Sequence, residues 1–254
     1  MVGLAANASA RAQGPDGFPR SVQDAAGHTV TVLKPPQRIA VVGDDPLPGL
    51  LVPPARRAVL QPGDTPPATV DLLVLPTLYA TAYSLENVEV PVFQTQLPVS
   101  LAEWRTAVET LATITGRERR GAAILSHLDR QLAQANALIA QQQPVDVLVL
   151  TPEGYTFGQD TLLHDLLTAA GGNNCAADYA DFRQIDDAAL HALDPTVILL
   201  TASWPGTEIF TTNPAYADLQ AVQHERVYQL DFRATYPRDP GAVVLTLVRL
   251  LHLS

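Results

Sequence analysis

The chain has one cysteine and one lysine in 254 residues, few aromatics (6%) and no apolar run of bilayer length. Each shortage excludes something. Cys175 alone cannot close an internal disulfide or build a thiolate metal cluster. Its surroundings, Gly171 to Ala177, contain no histidine, so a small buried thiol is the simple reading. Lys34 stands against fifteen arginines, which leaves Schiff-base or P-loop chemistry almost nothing to work with. The longest apolar stretch, Gly241 to Leu251, is interrupted by Arg249 and falls short of the roughly 20 residues that span a bilayer. A net charge of −10 argues against a nucleic-acid partner, since affinity for phosphate backbones comes mostly from Lys and Arg.

Catalytic signatures are also missing. The histidines (His28, His127, His164, His191, His224, His252) show no H-x-H or H-E-x-x-H spacing for a metal. Neither G-x-S-x-G nor G-x-G-x-x-G occurs. Asp44-Asp45 could hold a cation, although paired carboxylates in a Pro-rich loop are more often solvated. Asp186-Asp187 reads more economically as a helix cap. The expectation is no enzyme, no bound metal and no intrinsic cofactor.

What is present is apolar material: 47% hydrophobic against 17% charged, enough for a sizeable core in one large domain or two lobes. Residues 21–32 alternate around Gly27, a β-hairpin signal. The runs Ile39–Val42, Ala58–Leu60, Asp71–Leu75 and Pro91–Phe93 are uninterrupted by polar residues, as expected of parallel strands covered on both faces. Ser100 and Glu103 form a capping box for a helix that Gly116 stops. Residues 117–143 read as a long helix, with Ile124, Leu128, Leu132, Ala135 and Leu138 on one face. At 1.5 Å per residue it would extend about 40 Å, enough to link two lobes.

A second α/β pattern follows. Strands are predicted at 145–150, 196–200 and 227–230, and helices at 160–170 and 186–193. Further helix starts are expected at Asn213-Pro214 and Asp239-Pro240, where cap and first-turn proline take their preferred places. The predicted fold class is therefore α/β, with two three-layer lobes joined by one long helix. The expected domains are an N-terminal lobe at 18–116, the helix at 117–143 and a C-terminal lobe at 144–254. Residues 1–17 are expected to be a disordered tail or a signal remnant, with small residues at Ala10 and Ala12 around a possible cleavage point. Acids and bases number 10 and 7 in 1–116, 2 and 4 in 117–143, and 14 and 5 thereafter. Most of the excess negative charge thus belongs to the last part.

Several stretches resemble a known family. Residues 18–24, 27–32 and Pro35-Pro36-Gln37-Arg38-Ile39 are similar to the opening of class III (helical-backbone) periplasmic solute-binding proteins of ABC transporters, the iron-siderophore, haem and cobalamin group. Leu162 to Asn174 resembles that family's helix and glycine stop. Leu190 to Leu200 resembles its L-x-x-x-DP-x-V-I-L stretch, and Leu219 to Tyr228 its L-x-A-V-x-x-x-R-V-Y stretch. The order and spacing of these pieces run from about residue 18 to the end. The resemblance implies two α/β lobes with a bulky ligand held between them and delivered to a membrane permease, and an exported, extracytoplasmic, monomeric protein without catalysis. The first lobe departs from the pattern, because the Pro- and Gly-rich segment between Val42 and Asp71 is short where the family usually has helices. That departure leaves open a divergent, non-transporting binding or interaction module of the same fold.

Ligand sites in open α/β sheets form at the carboxyl ends of the strands, and several aromatics fall just past predicted strand ends. These are Tyr79 and Tyr83 in the first lobe, and Tyr155, Trp204, Phe232 and Tyr236 in the second. Such placement suits a flat conjugated ligand that gains from stacking and apolar burial. Arg233 and Arg238 could pair with carboxylates of an anionic chelate, which predicts a locally basic site in an acidic body. Trp204 is the first choice. The expected ligand is a small-molecule metal chelate: a ferric siderophore, haem or a cobalamin. The resemblance further implies that one glutamate per lobe docks on the permease, and position selects Glu86 and Glu208.

Overall fold

A computed structural model of the chain describes residues 17–81, 83, 85, 88–201, 204–230 and 237–253. The described residues fall into two compact units, one within Met1–Gln96 and Val108–Gly121, the other within Leu97–Ala107 and Ala122–Ser254. The division falls inside two helices, so each contributes residues to both units.

In unit one a hairpin, β1 (Arg20–Gln23) and β2 (Thr29–Val32), precedes β3 (Ile39–Val42), α1 (Leu47–Leu51), β4 (Arg57–Leu60), β5 (Leu72–Pro76), α2 (Thr77–Ala80) and β6 (Val92–Thr95). The four later strands form one parallel sheet in the order β4-β3-β5-β6. Its two central strands, Ile-Ala-Val-Val and Leu-Leu-Val-Leu-Pro, are buried along their whole length, which is why neither shows polar alternation. The edge strands β4 and β6 are only partly covered. The connections between these strands are short. The β3–β4 crossover holds a five-residue helix, and no helix intervenes between Leu60 and Leu72.

Two longer helices follow, α3 (Leu101–Thr115) and α4 (Glu118–Ile139). Ser100 Oγ accepts from the Glu103 N–H at 3.1 Å, while the Glu103 carboxylate reaches Val99 N–H at 3.0 Å. The box thus closes one residue further back than expected. Helix α4 has 22 residues and spans about 33 Å at 1.5 Å per residue. It stops short of the expected Gln143 because Gln141, Gln142 and Gln143 bury nothing that would hold a further turn.

Unit two continues with β7 (Val145–Leu150), β8 (Tyr155–Phe157), α5 (Leu162–Ala169), β9 (Gly172–Asn174), β10 (Phe182–Gln184), α6 (Asp187–Leu193), β11 (Val197–Thr201), α7 (Glu208–Thr211), α8 (Gln220–Gln223), β12 (Val227–Leu230) and α9 (Pro240–Val248). A second parallel sheet has the order β12-β11-β7-β9. Side-chain oxygens of Thr161, Asp186 and Asp239 cap α5, α6 and α9. Asn213-Pro214 opens a single 3₁₀ turn rather than a full helix. The core of this unit includes Leu148, Leu150, Ile198, Leu200, Phe210, Leu219 and Val227.

Candidate functional site

In unit two the strands β7, β11 and β12 are parallel, so their carboxyl ends, Leu150, Thr201 and Leu230, lie along one edge of the sheet. Trp204 crosses that edge. Its backbone N–H donates to the carbonyl oxygen of Thr201, the last residue of β11, at 3.0 Å. Its indole N–H donates to Leu150 O of β7 at 3.1 Å, and its carbonyl accepts from the Gln229 side chain of β12 at 2.7 Å. One residue is thus bonded to three adjacent strands. The ring is half-buried and meets Phe210 edge-on, with centroids 5.6 Å apart. Phe210 in turn stacks on Tyr216 at 4.8 Å. The Tyr216 hydroxyl donates to Asp187 at 2.9 Å, and burial, followed by the nearby carboxylate, pushes its pKa up. A row of rings therefore backs the tryptophan and fixes its plane, while its remaining surface stays available for contact.

Tyr155 belongs to the same edge. The turn after Leu150 is closed by Thr151 N–H to Tyr155 O (2.9 Å), Tyr155 N–H to Thr151 Oγ1 (3.2 Å) and Gly154 N–H to Thr151 O (2.9 Å). These bonds place Tyr155 at the start of β8 with 41% of its surface exposed. Strand β8 pairs antiparallel with β10, Phe182 opposite Phe157 and Gln184 opposite Tyr155. Phe182, 58% exposed, sits with its ring 4.8 Å from that of Phe157. It adds an exposed aromatic that the sequence reading missed. Three-residue strands leave no periodicity to read, and the pairing that brings Phe182 to Phe157 is long-range.

In unit one the corresponding edge carries Tyr79, on α2 directly after β5. Its half-buried ring lies over Gly43 at the end of β3. Tyr83 is 5% exposed, packs in the core and donates its hydroxyl to Asp64 O, which gives it a structural job. Asp44 and Asp45 separate: Asp44 is exposed, and Asp45 turns inward. Asp45 accepts from Leu47 N–H at 2.9 Å and from the Thr95 hydroxyl at 3.0 Å, so both oxygens are engaged. Burial raises its pKa despite those two bonds. Among the described residues no three His, Cys, Asp or Glu side chains gather into a metal-holding group.

Arg238 is exposed, one residue before the α9 cap. Glu208 is exposed in the first turn of α7, beside the half-exposed Ile209. Phe232, Arg233, Tyr236 and Glu86 lie outside the described residues. The structure thus brings Trp204 and Tyr155 to one edge of the second sheet and Tyr79 to the equivalent edge of the first.

Each unit is built on a parallel sheet, and the carboxyl ends of the strands carry aromatics, half-buried Tyr79 in the first and half-buried Trp204 with exposed Tyr155 in the second, where open α/β sheets hold ligands. A family model for periplasmic binding proteins matches residues 71–234, and the chain belongs to that family. A curated relative, an uncharacterized ABC transporter substrate-binding lipoprotein, YvrC, of Bacillus subtilis, is 23% identical over 138 residues. The match covers 52% of this chain and 44% of the relative, so the chain spans less than half of that protein's length. Among solved structures, CeuE of Helicobacter pylori in a Ni-His complex superposes with a TM-score of 0.76 at 16% identity, covering 93% of this chain and 89% of that one. The molybdate periplasmic binding protein MolA of Haemophilus influenzae gives 0.74 at 16%, covering 92% and 91%. The periplasmic heme-binding protein RhuT of Roseiflexus sp. RS-1 gives 0.67 at 21%, covering 85% and 98%. At these identities the solved structures speak for the fold.

Proposed function

We propose that the chain is an extracytoplasmic solute-binding protein that captures a metal chelate, of ferric-siderophore, haem or cobalamin type, for import by an ABC permease. The observation that carries this reading is Trp204, held by three strands and presented with Tyr155 at the carboxyl edge of the second sheet. A rigid half-buried indole beside an exposed phenol suits a flat conjugated ligand better than a small hydrated ion. Proteins of similar fold include ones named for heme, for molybdate and for a Ni-His complex, which supports metal-containing solutes as the class. Phe182 extends the aromatic surface. Phe232, Arg233, Tyr236 and Arg238 follow the third strand end of the same edge, where the arginines would meet acidic groups of the chelate. Tyr79 is the contribution of unit one. Glu208, exposed beside Ile209, is the permease contact in this reading, with Glu86 its counterpart. The protein acts as a monomer and performs no catalysis.

The test is a titration of the purified chain with haem, a ferric siderophore and cobalamin, read by tryptophan fluorescence and ligand absorbance. The other tryptophan, Trp104, is fully buried and senses a bound chromophore only by energy transfer, so a saturable quench that shrinks in Trp204→Phe while ligand absorbance still reports binding places the ligand at Trp204. Folded protein that quenches with none of the three overturns the reading. The short connections between β3 and β5 favour one second reading, a binding module that no longer transports. Recovery of the chain bound to a permease from membranes separates the two, since only the transporting protein would be retained.

A further inference from the structure

The opposite edge of the unit one sheet has a different character. Arg38 immediately precedes β3, Arg56 immediately precedes β4 and Asp71 immediately precedes β5, so these residues line the amino ends of the strands. The Arg56 guanidinium donates to Gln37 Oε1 at 3.1 Å, and the backbone N–H groups of Gln37 and Arg38 donate to Asp71 at 2.9 and 3.0 Å. Lys34 reaches the other Asp71 oxygen at 3.7 Å. The corner between α3 and α4 adjoins this loop. A Cβ on Gly116 would lie 3.1 Å from the Phe18 ring and 3.7 Å from Pro35. Arg117, Arg119 and Arg120 extend from that corner, and Arg120 Nε donates to Leu50 O at 2.9 Å.

Cations dominate this array. The acids on or beside this edge include Asp71, already shared by two N–H groups and Lys34, Glu118, paired with Arg20, and exposed Glu89, three residues before β6 and on the far side of β5 from Arg38 and Arg56. Arg117 Nε is buried without a hydrogen-bond partner, and burial, followed by the like charge of Arg56, lowers the pKa of its guanidinium. In a chain of net charge −10, such a concentration of mutually repelling guanidinium groups invites an external anion.

We propose that this face of unit one rests on an anionic membrane surface, its arginines and Lys34 meeting lipid phosphates. The cations are spread over the 34–38 loop, residue 56 and the 117–120 corner instead of converging on one point, which fits a planar array of headgroups better than one small anion. Leu33, 64% exposed beside Lys34, adds an apolar group able to enter the interface. The Arg20 guanidinium donates to Gly17 O at 3.2 Å and Thr113 O at 2.9 Å, tying the start of the hairpin to the end of α3. The acidic remainder does not prevent contact, because charges more than about 8 Å from the surface are largely screened at physiological salt. This goes beyond the solute-binding reading and does not require it to be correct.

Vesicle co-sedimentation of the full chain tests the proposal. The expected result is binding to phosphatidylcholine vesicles containing about one-third phosphatidylglycerol, little binding to pure phosphatidylcholine, and loss as salt is raised. The triple variant Lys34→Glu/Arg56→Glu/Arg119→Glu should bind at least about tenfold more weakly. Arg130→Glu/Arg183→Glu/Arg249→Glu, with the same change in net charge elsewhere, should bind like wild type. The milder Lys34→Gln/Arg119→Gln covers the case in which the triple variant fails to fold by circular dichroism, and it should show a smaller loss. Absence of binding to the anionic vesicles, equal binding to both vesicle types, or equal loss in both triple variants would overturn the proposal. So would capture by an acidic polypeptide such as polyglutamate together with indifference to vesicles.

Discussion

The ring of Tyr79 occupies the space that a side chain on residue 43 would need. A Cβ built on Gly43 would lie 3.0 Å from both Cζ and Oη of that ring, and φ at Gly43 is +71°. Residue 43 cannot easily retreat, because its N–H donates to Leu60 O at 2.8 Å and so extends the β3–β4 pairing. Gly43→Ala should therefore destabilise the protein by about 2–5 kcal/mol, combining about 1–3 for overpacking with about 1–2 for the left-handed backbone. In a Tyr79→Ala background the same change should cost at least about 1 kcal/mol less, because only the backbone part remains. Urea denaturation of the four proteins measures the coupling. Strict additivity would show that the ring does not press on residue 43.

Asp45 gives a pH signature for the same edge. Burial raises its pKa from the ordinary 3.8, against the opposing bonds from Leu47 N–H and Thr95. A carboxyl that holds its proton more tightly when folded favours the fold fully below its unfolded pKa, and that contribution is lost as pH rises through the folded value. Asp45→Asn is neutral throughout and can keep both contacts, its amide oxygen accepting from Leu47 and its NH₂ facing the Thr95 hydroxyl. The Tm of the variant should gain on wild type as pH rises from about 4 to about 7. A difference that stays constant over that range would mean that Asp45 titrates normally.

The parts of this fold that could be read from the sequence are those fixed by local chemistry. Strands β3, β5 and β11 and the last four residues of β7 announce themselves as apolar runs because both faces are covered. Asp186 and Asp239 are legible as caps because each bonds an N–H three residues on. Strand β9 is the opposite case. Gly172-Asn173-Asn174 has no strand propensity and reads as a helix stop. It pairs with β7 because Gly172 fits where a Cβ would come within about 3 Å of Val147 and Leu251 side chains. Trp204 could be picked out by its place after a strand. Its bonds to Leu150 and Gln229 depend on the order in which β12, β11 and β7 lie side by side, which no local pattern encodes. From sequence Asp45 reads as half of a solvated pair, because Thr95, which engages it, is fifty residues away.

Cys175 should be inert in the native protein. Burial, followed by the charge of Asp146, pushes its thiol pKa up to about 12, so only about one molecule in ten thousand carries the thiolate at pH 8. Labelling with an aromatic disulfide reagent at that pH should be at least about a hundredfold slower in native protein than in urea-unfolded protein. Comparable rates in the two states would place the thiol in open solvent and remove the basis for calling it structural.

Trp204 separates what holds the edge together from what it offers to a ligand. Trp204→Phe keeps a ring against Phe210 but leaves Leu150 O without its donor. It should cost about 1 kcal/mol in stability, with chelate affinity reduced less than about fivefold if stacking dominates recognition. Trp204→Ala removes the ring as well. It should weaken chelate binding at least about tenfold, equivalent to about 1.4 kcal/mol, while Tyr155→Ala, on the exposed turn, should weaken binding with a stability change below about 0.5 kcal/mol. Isothermal titration beside urea denaturation reads both quantities for each variant. Unchanged chelate affinity in Trp204→Ala, with the protein folded, would move the ligand away from this edge.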